Sequence, residues 1–340
     1  MNLHIPYRTR KALQRVFLVV LVIAVALAMI WAFWMLWLQR YVIYTRDEGA
    51  KIDFSLNPQL EAGAPVKEPE NPTVSIYYNE GDNAINTSKE MTQLGGYYIS
   101  TEDLENNMDE LKTQIRNLPA GTPVMVEVKS IKGNFFYSSG VASYRSSSVD
   151  TEKMDELLKF LDKSGMYTIA YLPALRDYNY GLNNVPDGLP TAGGWLWIDD
   201  DGCYWLNPSS QGTVAYLVQI INELKALGFD EVALYDFYFP VTDSVVFSGD
   251  KTEALSAAAK TLVTTCATDY FAVSFVMDQQ FTLPEGSCRM YKRNATAADA
   301  VHIAAESGLA DPHIRLVFLT DNHDTRFDAY GVLRPLSAAH

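Results

Sequence analysis

From Leu94 onward, short apolar runs alternate with segments that carry apolar residues at helical spacing. The runs that fit buried strands are GGYYIS, TPVMVEVKS, YTIAYLPAL, EVALYDF, YFAVSFVM, CRMYKR, IRLVFLT and AYGVL. Strand alternating with helix about eight times over roughly 240 residues predicts a (β/α)8 TIM-type barrel. A doubly wound open sheet is the alternative. No glycine-rich GxGxxG loop follows an early strand, so a nucleotide-binding sheet is not indicated and no cofactor is expected.

Start and stop signals mark several of the predicted helices. One helical stretch runs from residue 102 to 117, and another starts near Thr151 and ends at Gly165. Ser209 or Ser210 caps a third, which Gly228 stops before the strand EVALYDF.

The first 93 residues have a different pattern. An uncharged run at residues 16–38 follows a basic tail at residues 1–15. As a helix the run would be roughly 34 Å long at about 1.5 Å per residue, enough to cross a bilayer. It predicts a transmembrane helix, and residues 39–93, rich in proline and acids, predict a stalk before a barrel at residues 94–340.

The charge around the apolar run sets the expected orientation. Basic residues lie mainly before it, so the positive-inside rule places the C-terminal domain outside a cell membrane in a single-pass topology. A cleaved signal peptide is the competing interpretation, because Ala24, Ala26 and Ala28 are small. The run continues about ten residues past them, longer than a signal peptide needs, which favours an uncleaved anchor.

Composition limits the kinds of molecule that the protein is expected to bind. The formal net charge of -14 argues against nucleic acid as a partner. The three cysteines are widely spaced and odd in number, so no disulfide framework is predicted. The acidic DDDG at residues 199–202 predicts a solvated hairpin turn, because it lacks the alternating ligands of a calcium loop. No metal site is expected.

Candidate chemistry lies where the predicted strands end, because the carboxyl ends of barrel strands form the active face. Asp236, Asp278 and Asp321 are candidate catalytic acids there. Candidate substrate-binding residues are Glu127, Lys129, Arg176, Asp177, Tyr235 and Tyr238. Acids beside aromatic residues suit carbohydrate, and glycoside cleavage needs two carboxyl groups. Each acid also has an ordinary structural interpretation as a loop cap, and each cation as an ion-pair partner.

These segments resemble a known family. VEVKSIKGNFFY, YTIAYLPALRD, WLNP and GFDEVALYDFYFP are similar in order and spacing to segments of the bacterial family of glycoside hydrolase-like domains, over residues 94–240. The resemblance implies a divergent TIM-barrel glycosidase, with altered active-site positions in this chain. The family has aspartate where Tyr235 stands and tyrosine where Asp236 stands. It has arginine at Tyr238 and an acid at Phe275.

Two functions follow from this pattern. The first is a membrane-anchored extracellular glycoside hydrolase that acts on polysaccharide or cell-envelope glycan. Since strand side chains alternate faces, a carboxylate shifted by one residue would face away from the barrel axis unless a local bulge restored it. The second is therefore a catalytically degenerate barrel that binds glycan or protein at the cell surface.

Overall fold

The computed structural model describes residues 21, 23–31, 33–34, 42–45, 49–52 and 91–336. The chain divides into two compact units, Met1–Asp82 and Asn83–His340. The predicted basic tail and most of the predicted stalk lie outside the described residues.

In the first unit, the described residues between 21 and 34 are helical, and their apolar side chains are exposed. Among the described residues, no helix has both the length and the apolarity that a membrane crossing requires. The rest of the predicted span at residues 16–38 lies outside them. Within the predicted stalk, strands Val42–Thr45 and Gly49–Ile52 pair as an antiparallel hairpin.

The second unit is a closed barrel of eight parallel strands. The strands are β1 (Gly95–Ile99), β2 (Pro123–Glu127), β3 (Tyr167–Pro173), β4 (Glu231–Tyr235), β5 (Ala272–Val276), β6 (Met290–Arg293), β7 (Leu316–Leu319) and β8 (Gly331–Pro335). Each pairs with its sequence neighbour, and β8 closes the barrel onto β1 with Val332 opposite Gly95. The TIM-type prediction is confirmed, and the open-sheet alternative is wrong because the last strand reaches the first.

Helices fill most of the connections. They are α1 (Thr101–Asn106), α2 (Met108–Arg116), α3 (Thr151–Lys163), α4 (Tyr178–Asn183), α5 (Gln211–Ala226), α6 (Lys251–Cys266), α7 (Ala300–Glu306) and α8 (Pro312–Arg315). The single helix predicted at 102–117 is instead two helices, which meet at Asn107. Residues 277–289, between β5 and β6, contain no helix.

Capping residues mark where the helices begin and end. The Ser100 hydroxyl accepts from the Asp103 N–H, and the Ser210 hydroxyl accepts from the Gly212 N–H. Gly228 has φ +93°, which a side-chain-bearing residue adopts only with strain, so it ends the turn after α5 as predicted. Such caps satisfy main-chain groups that a helix end would otherwise leave unpaired.

Side chains on the strands alternate between two cores. On β4, Val232 and Leu234 pack outward against the helices, whereas Ala233 and Tyr235 face the barrel interior. The interior cluster is Leu94, Met125, Ile169, Ala233, Tyr235, Val276, Tyr291, Val317 and Leu333. This alternation decides which strand-end residues can reach the mouth of the barrel.

A buried ion pair lies at the amino-terminal end of the barrel interior. Glu231 and Arg289 are 0% and 2% exposed, and the Arg289 Nη1 lies 2.5 Å from the Glu231 Oε2. The hydroxyls of Tyr167 and Tyr291 donate to the same carboxylate at 2.9 and 3.0 Å, and the Ser274 hydroxyl donates as well. The cluster therefore joins β3, β4, β5 and the start of β6.

We expect Glu231→Gln to destabilise the protein by about 3–5 kcal/mol, because it leaves the Arg289 charge buried without a counter-charge. The free energy of unfolding is measured by urea titration. The matched control is Glu156→Gln, since Glu156 pairs with Lys112 at an exposed site and its loss should cost less than about 1 kcal/mol. Equal effects of the two changes would contradict the role of the buried pair.

Candidate active site at the barrel mouth

The uppermost inward-facing side chains form the floor of the barrel mouth. Glu127 ends β2, Tyr171 lies on β3, Tyr235 ends β4 and Arg293 ends β6. The Tyr171 and Tyr235 rings stack with centroids 4.4 Å apart, and the Arg293 guanidinium lies 5.5 Å from the Tyr235 ring centroid. Strand alternation thus brings an acid, a cation and two aromatic rings together.

Glu127 is held by two hydroxyl groups. Tyr235 Oη donates to its Oε1 at 2.5 Å, and Thr101 donates to its Oε2. Burial raises the pKa of Glu127 above its ordinary value of 4.5, although both hydrogen bonds act in the opposite direction. Glu127 therefore keeps a proton to a higher pH than an exposed glutamate.

Asp236 lies directly after β4 in the left-handed backbone region, with φ +50°. Regular alternation would turn its side chain away from the axis, but this backbone turn places the carboxylate at the mouth. Its Oδ1 lies 3.6 Å from Arg293 Nη2, and its Oδ2 lies 3.9 Å from Arg176 Nη1. Burial raises the pKa of Asp236, and the two guanidinium groups oppose that rise.

Arg293 links Asp236 to Asp278, which lies two residues beyond β5. Its Nη2 binds the Asp278 Oδ2 as well as facing Asp236. One guanidinium nitrogen thus bridges the two carboxylates. Asp278 is about one-third exposed, so this second acid opens to solvent.

Arg176 joins the mouth to the hairpin at residues 195–206. It contacts Asp199 Oδ2 at 2.5 Å and Asp201, and it lies 5.7 Å from the Trp205 ring centroid. Burial alone would raise the pKa of Asp199, but hydrogen bonds from Arg176, the Cys203 N–H and Trp205 hold it below 3.8. The predicted hairpin turn is confirmed, with Asp200 and Asp201 exposed, but Asp199 is partly buried and fixes Arg176.

Lys129 and Asp177 form a separate pair with no exposed side-chain surface, 2.8 Å apart. Asp177 also caps α4 and accepts from the Tyr216 hydroxyl at 2.9 Å. A side chain at Gly133, where φ is +79°, would collide with Asp177. The structure thus gives this pair a role in loop packing, and its contact with a substrate stays a prediction.

The remaining predicted residues lie in different places. Tyr238 packs edge-on against Trp205 at 4.9 Å, on the rim. Asp321 is exposed after β7. Burial raises the pKa of the Tyr98 hydroxyl, and the Asp321 charge adds to that rise. Phe275 packs outward, with its ring centroid 4.8 Å from that of Phe237. An acid at this position would therefore not face the barrel interior.

Thr101 and Tyr171 were not among the predicted site residues. Arg293 ends a predicted strand, and alternation turns it to the mouth because it lies two residues beyond the inward-facing Tyr291. The contact between Thr101 and Glu127 joins a helix start to a strand end and has no sequence signal. Within the described residues, no group of three or more His, Cys, Asp or Glu side chains is placed to hold a metal ion.

This fold and this cluster define a barrel with carboxyl groups and aromatic side chains at the carboxyl ends of its strands. Residues 96–272, just over half of the chain, match the family described as "Putative glycosyl hydrolase domain". The chain belongs to this family, which confirms the resemblance found in the sequence. No curated protein matches the chain.

Solved structures give distant matches. A hypothetical protein from Ruminiclostridium thermocellum is 18% identical with a TM-score of 0.46, and the match covers 53% of this chain and 96% of that one. An α-galactosidase from Geobacillus stearothermophilus is 12% identical, with a TM-score of 0.45 and 72% of this chain covered. An α-L-fucosidase from Paenibacillus thiaminolyticus is 9% identical, with a TM-score of 0.43 and 67% covered. The chain spans 39% and 45% of those two enzymes.

The raised pKa of Glu127 predicts a pH-dependent stability. The folded state holds this proton more tightly than the unfolded state, so the stabilisation is complete below about pH 4.5 and is lost as the pH rises through the folded pKa. We expect Glu127→Gln to remove this loss, so that the variant gains stability relative to the unmodified protein as the pH rises above 4.5. Thermal unfolding between pH 4 and 8 tests this, with the exposed Glu110→Gln as the control. Parallel stability curves for Glu127→Gln and the unmodified protein would contradict it.

Proposed function

We propose that the protein is a membrane-anchored extracellular glycoside hydrolase that acts on polysaccharide or cell-envelope glycan. Membership of the glycosyl hydrolase-type family supports the reaction class. The observation that carries the proposal is the backbone turn at Asp236, which brings its carboxylate beside Arg293 and Asp278 at the barrel mouth. Residues held in sparsely populated backbone regions cluster at functional sites.

Two acids with different partners suit the two tasks of glycoside cleavage. Asp236 faces two guanidinium groups, whose charges oppose the rise that burial gives to its pKa. Among the described residues, Glu127 has hydroxyl partners and no cation within ion-pair distance, and burial raises its pKa more than those hydroxyls and the more distant Arg293 charge lower it. Asp236 is therefore assigned as nucleophile or base, and Glu127 as the general acid that protonates the leaving oxygen.

This assignment refines the predicted set of acids. Asp278 pairs with Arg293 and lies closer to solvent than Glu127. Its role here is to share the Arg293 charge with Asp236. Asp321 lies exposed on another strand end, and its proposed catalytic role depends on a substrate that reaches it.

Asp236→Asn and Glu127→Gln separate the two roles. With oligosaccharides, both changes should lower hydrolysis by at least a hundredfold. With a dinitrophenyl glycoside, whose leaving group needs no proton, Glu127→Gln should keep most activity and Asp236→Asn should not. Asp243→Asn, an exposed acid in the loop after β4, is the control. An active Asp236→Asn variant on both substrates would overturn the assignment.

A degenerate, glycan-binding barrel is the second candidate function. The observation in its favour is that a tyrosine, Tyr235, occupies the inward-facing position at the end of β4, where its hydroxyl donates a hydrogen bond to Glu127. In that case the unmodified protein binds oligosaccharides without cleaving them, and Asp236→Asn leaves binding unchanged. Calorimetric titration beside the hydrolysis assay distinguishes the two.

The anchor is supported by the uncharged run at residues 16–38 and the basic residues before it. We expect the full chain to remain with membranes after an alkaline wash, at its uncleaved mass, with residues 94–340 open to added protease. Val25→Arg with Leu27→Arg should move the protein to the soluble fraction, because each charge is costly inside a bilayer. The control is Val241→Arg with Val246→Arg, at exposed loop positions in the second unit. A shortened mass would indicate a cleaved signal peptide instead.

A further inference from the structure

We propose that a second binding site, for neutral sugar chains, lies in a cleft beside the barrel mouth. The cleft, called the side cleft here, is formed by the loop after β2 at residues 131–150, by α4 and by the first turns of α5. Its volume is about 600 Å³, within the range of roughly 300–1,000 Å³ that small-molecule sites occupy. The site is independent of turnover at the barrel mouth.

The lining of the side cleft mixes apolar surface with polar groups and carries almost no charge. The groups that could bind a ligand there are Ser143, Tyr144, Asn179, Asn183, Asn184 and Gln219. Among the described residues, the lining contains neither lysine nor arginine, and its one acid is Asp187. Both Asp187 carboxylate oxygens already accept hydrogen bonds, from Tyr180 Oη at 2.8 Å and from Ser210. The lining therefore offers no cation to an anionic ligand, and its one carboxylate is already hydrogen-bonded, which favours a neutral ligand.

The amide groups are oriented by the protein itself. Asn183 Nδ2 donates to the Asn179 carbonyl at 2.7 Å and to Tyr144 Oη at 2.9 Å. Asn184 Nδ2 donates to the Tyr180 carbonyl at 3.0 Å. Since a main-chain carbonyl can only accept, the amide oxygens of both residues are left as acceptors. An array of fixed acceptors suits a ligand rich in hydroxyl donors.

Aromatic surface completes the site. The Tyr144 side chain is 41% exposed at the edge of the cleft. The half-buried Tyr180 ring stacks on Tyr216 with centroids 3.9 Å apart, which holds that wall rigid. A sugar ring has an apolar C–H face and hydroxyl edges, so it can pack on tyrosine while its hydroxyls reach the amide oxygens. A neutral oligosaccharide is thus the ligand class that the lining fits.

The test uses the full chain carrying Asp236→Asn, which limits cleavage during titration. Cellohexaose, maltohexaose and N-acetylated chitohexaose are the probes, and a neutral Gly-Ser peptide is the control ligand. At least one oligosaccharide should bind. Ala215→Trp, which fills the side cleft from an exposed position of α5, should weaken that binding by tenfold or more. Ala257→Trp, at an exposed position of α6, should leave it unchanged.

A second variant covers misfolding of Ala215→Trp. Asn183→Ala removes one acceptor without adding bulk and should weaken binding by about two- to tenfold. Binding by none of the oligosaccharides, binding of the peptide alone, or affinity unchanged by both side-cleft variants would overturn the proposal. Lack of hydrolysis by the unmodified protein, with binding that Ala215→Trp weakens, would reject the hydrolase function and leave the side cleft supported.

Discussion

The Glu231–Arg289 ion pair is the interaction on which the arrangement of the barrel depends. A buried charge without a partner costs several kcal/mol, so both groups must face the interior and must meet. That requirement fixes the phase of side-chain alternation on β4 and at the start of β6. With Glu231 inward, Tyr235 is inward four residues later, and Arg293 is inward four residues after Arg289. The base of the barrel therefore decides which groups form the floor of its mouth.

The side chains at the mouth are held by ion pairs that share partners. Arg293 pairs with two acids and Arg176 pairs with three, so each guanidinium holds more than one strand end or loop in place. A side chain that is fixed by several partners can be positioned without a rigid loop. Because the acids at the mouth share these guanidinium groups, replacing one acid changes the electrostatic environment of the others.

Much of this architecture could be predicted from the sequence, because strand and helix periods, caps and stops are local signals. The strand EVALYDF, the cap at Ser210 and the stop at Gly228 all depend on neighbouring residues. Other features depend on residues that only the closed barrel brings together. They are the left-handed turn at Asp236 and the contact of Arg176 with Asp199. The family resemblance implies an acid at Phe275. Because Ser274 faces the barrel interior, the next residue, Phe275, faces outward against the helices.

The connection from β5 to β6, which carries Asp278, contains no helix. This segment is instead held by contacts with other elements: the Ser256 hydroxyl of α6 accepts from the Thr282 N–H, and Arg315 of α8 donates to the Pro284 carbonyl. Substitutions at the exposed Asp278 and Gln280 can therefore change the chemistry of the rim while the buried Phe281, Cys288 and Arg289 keep their packing.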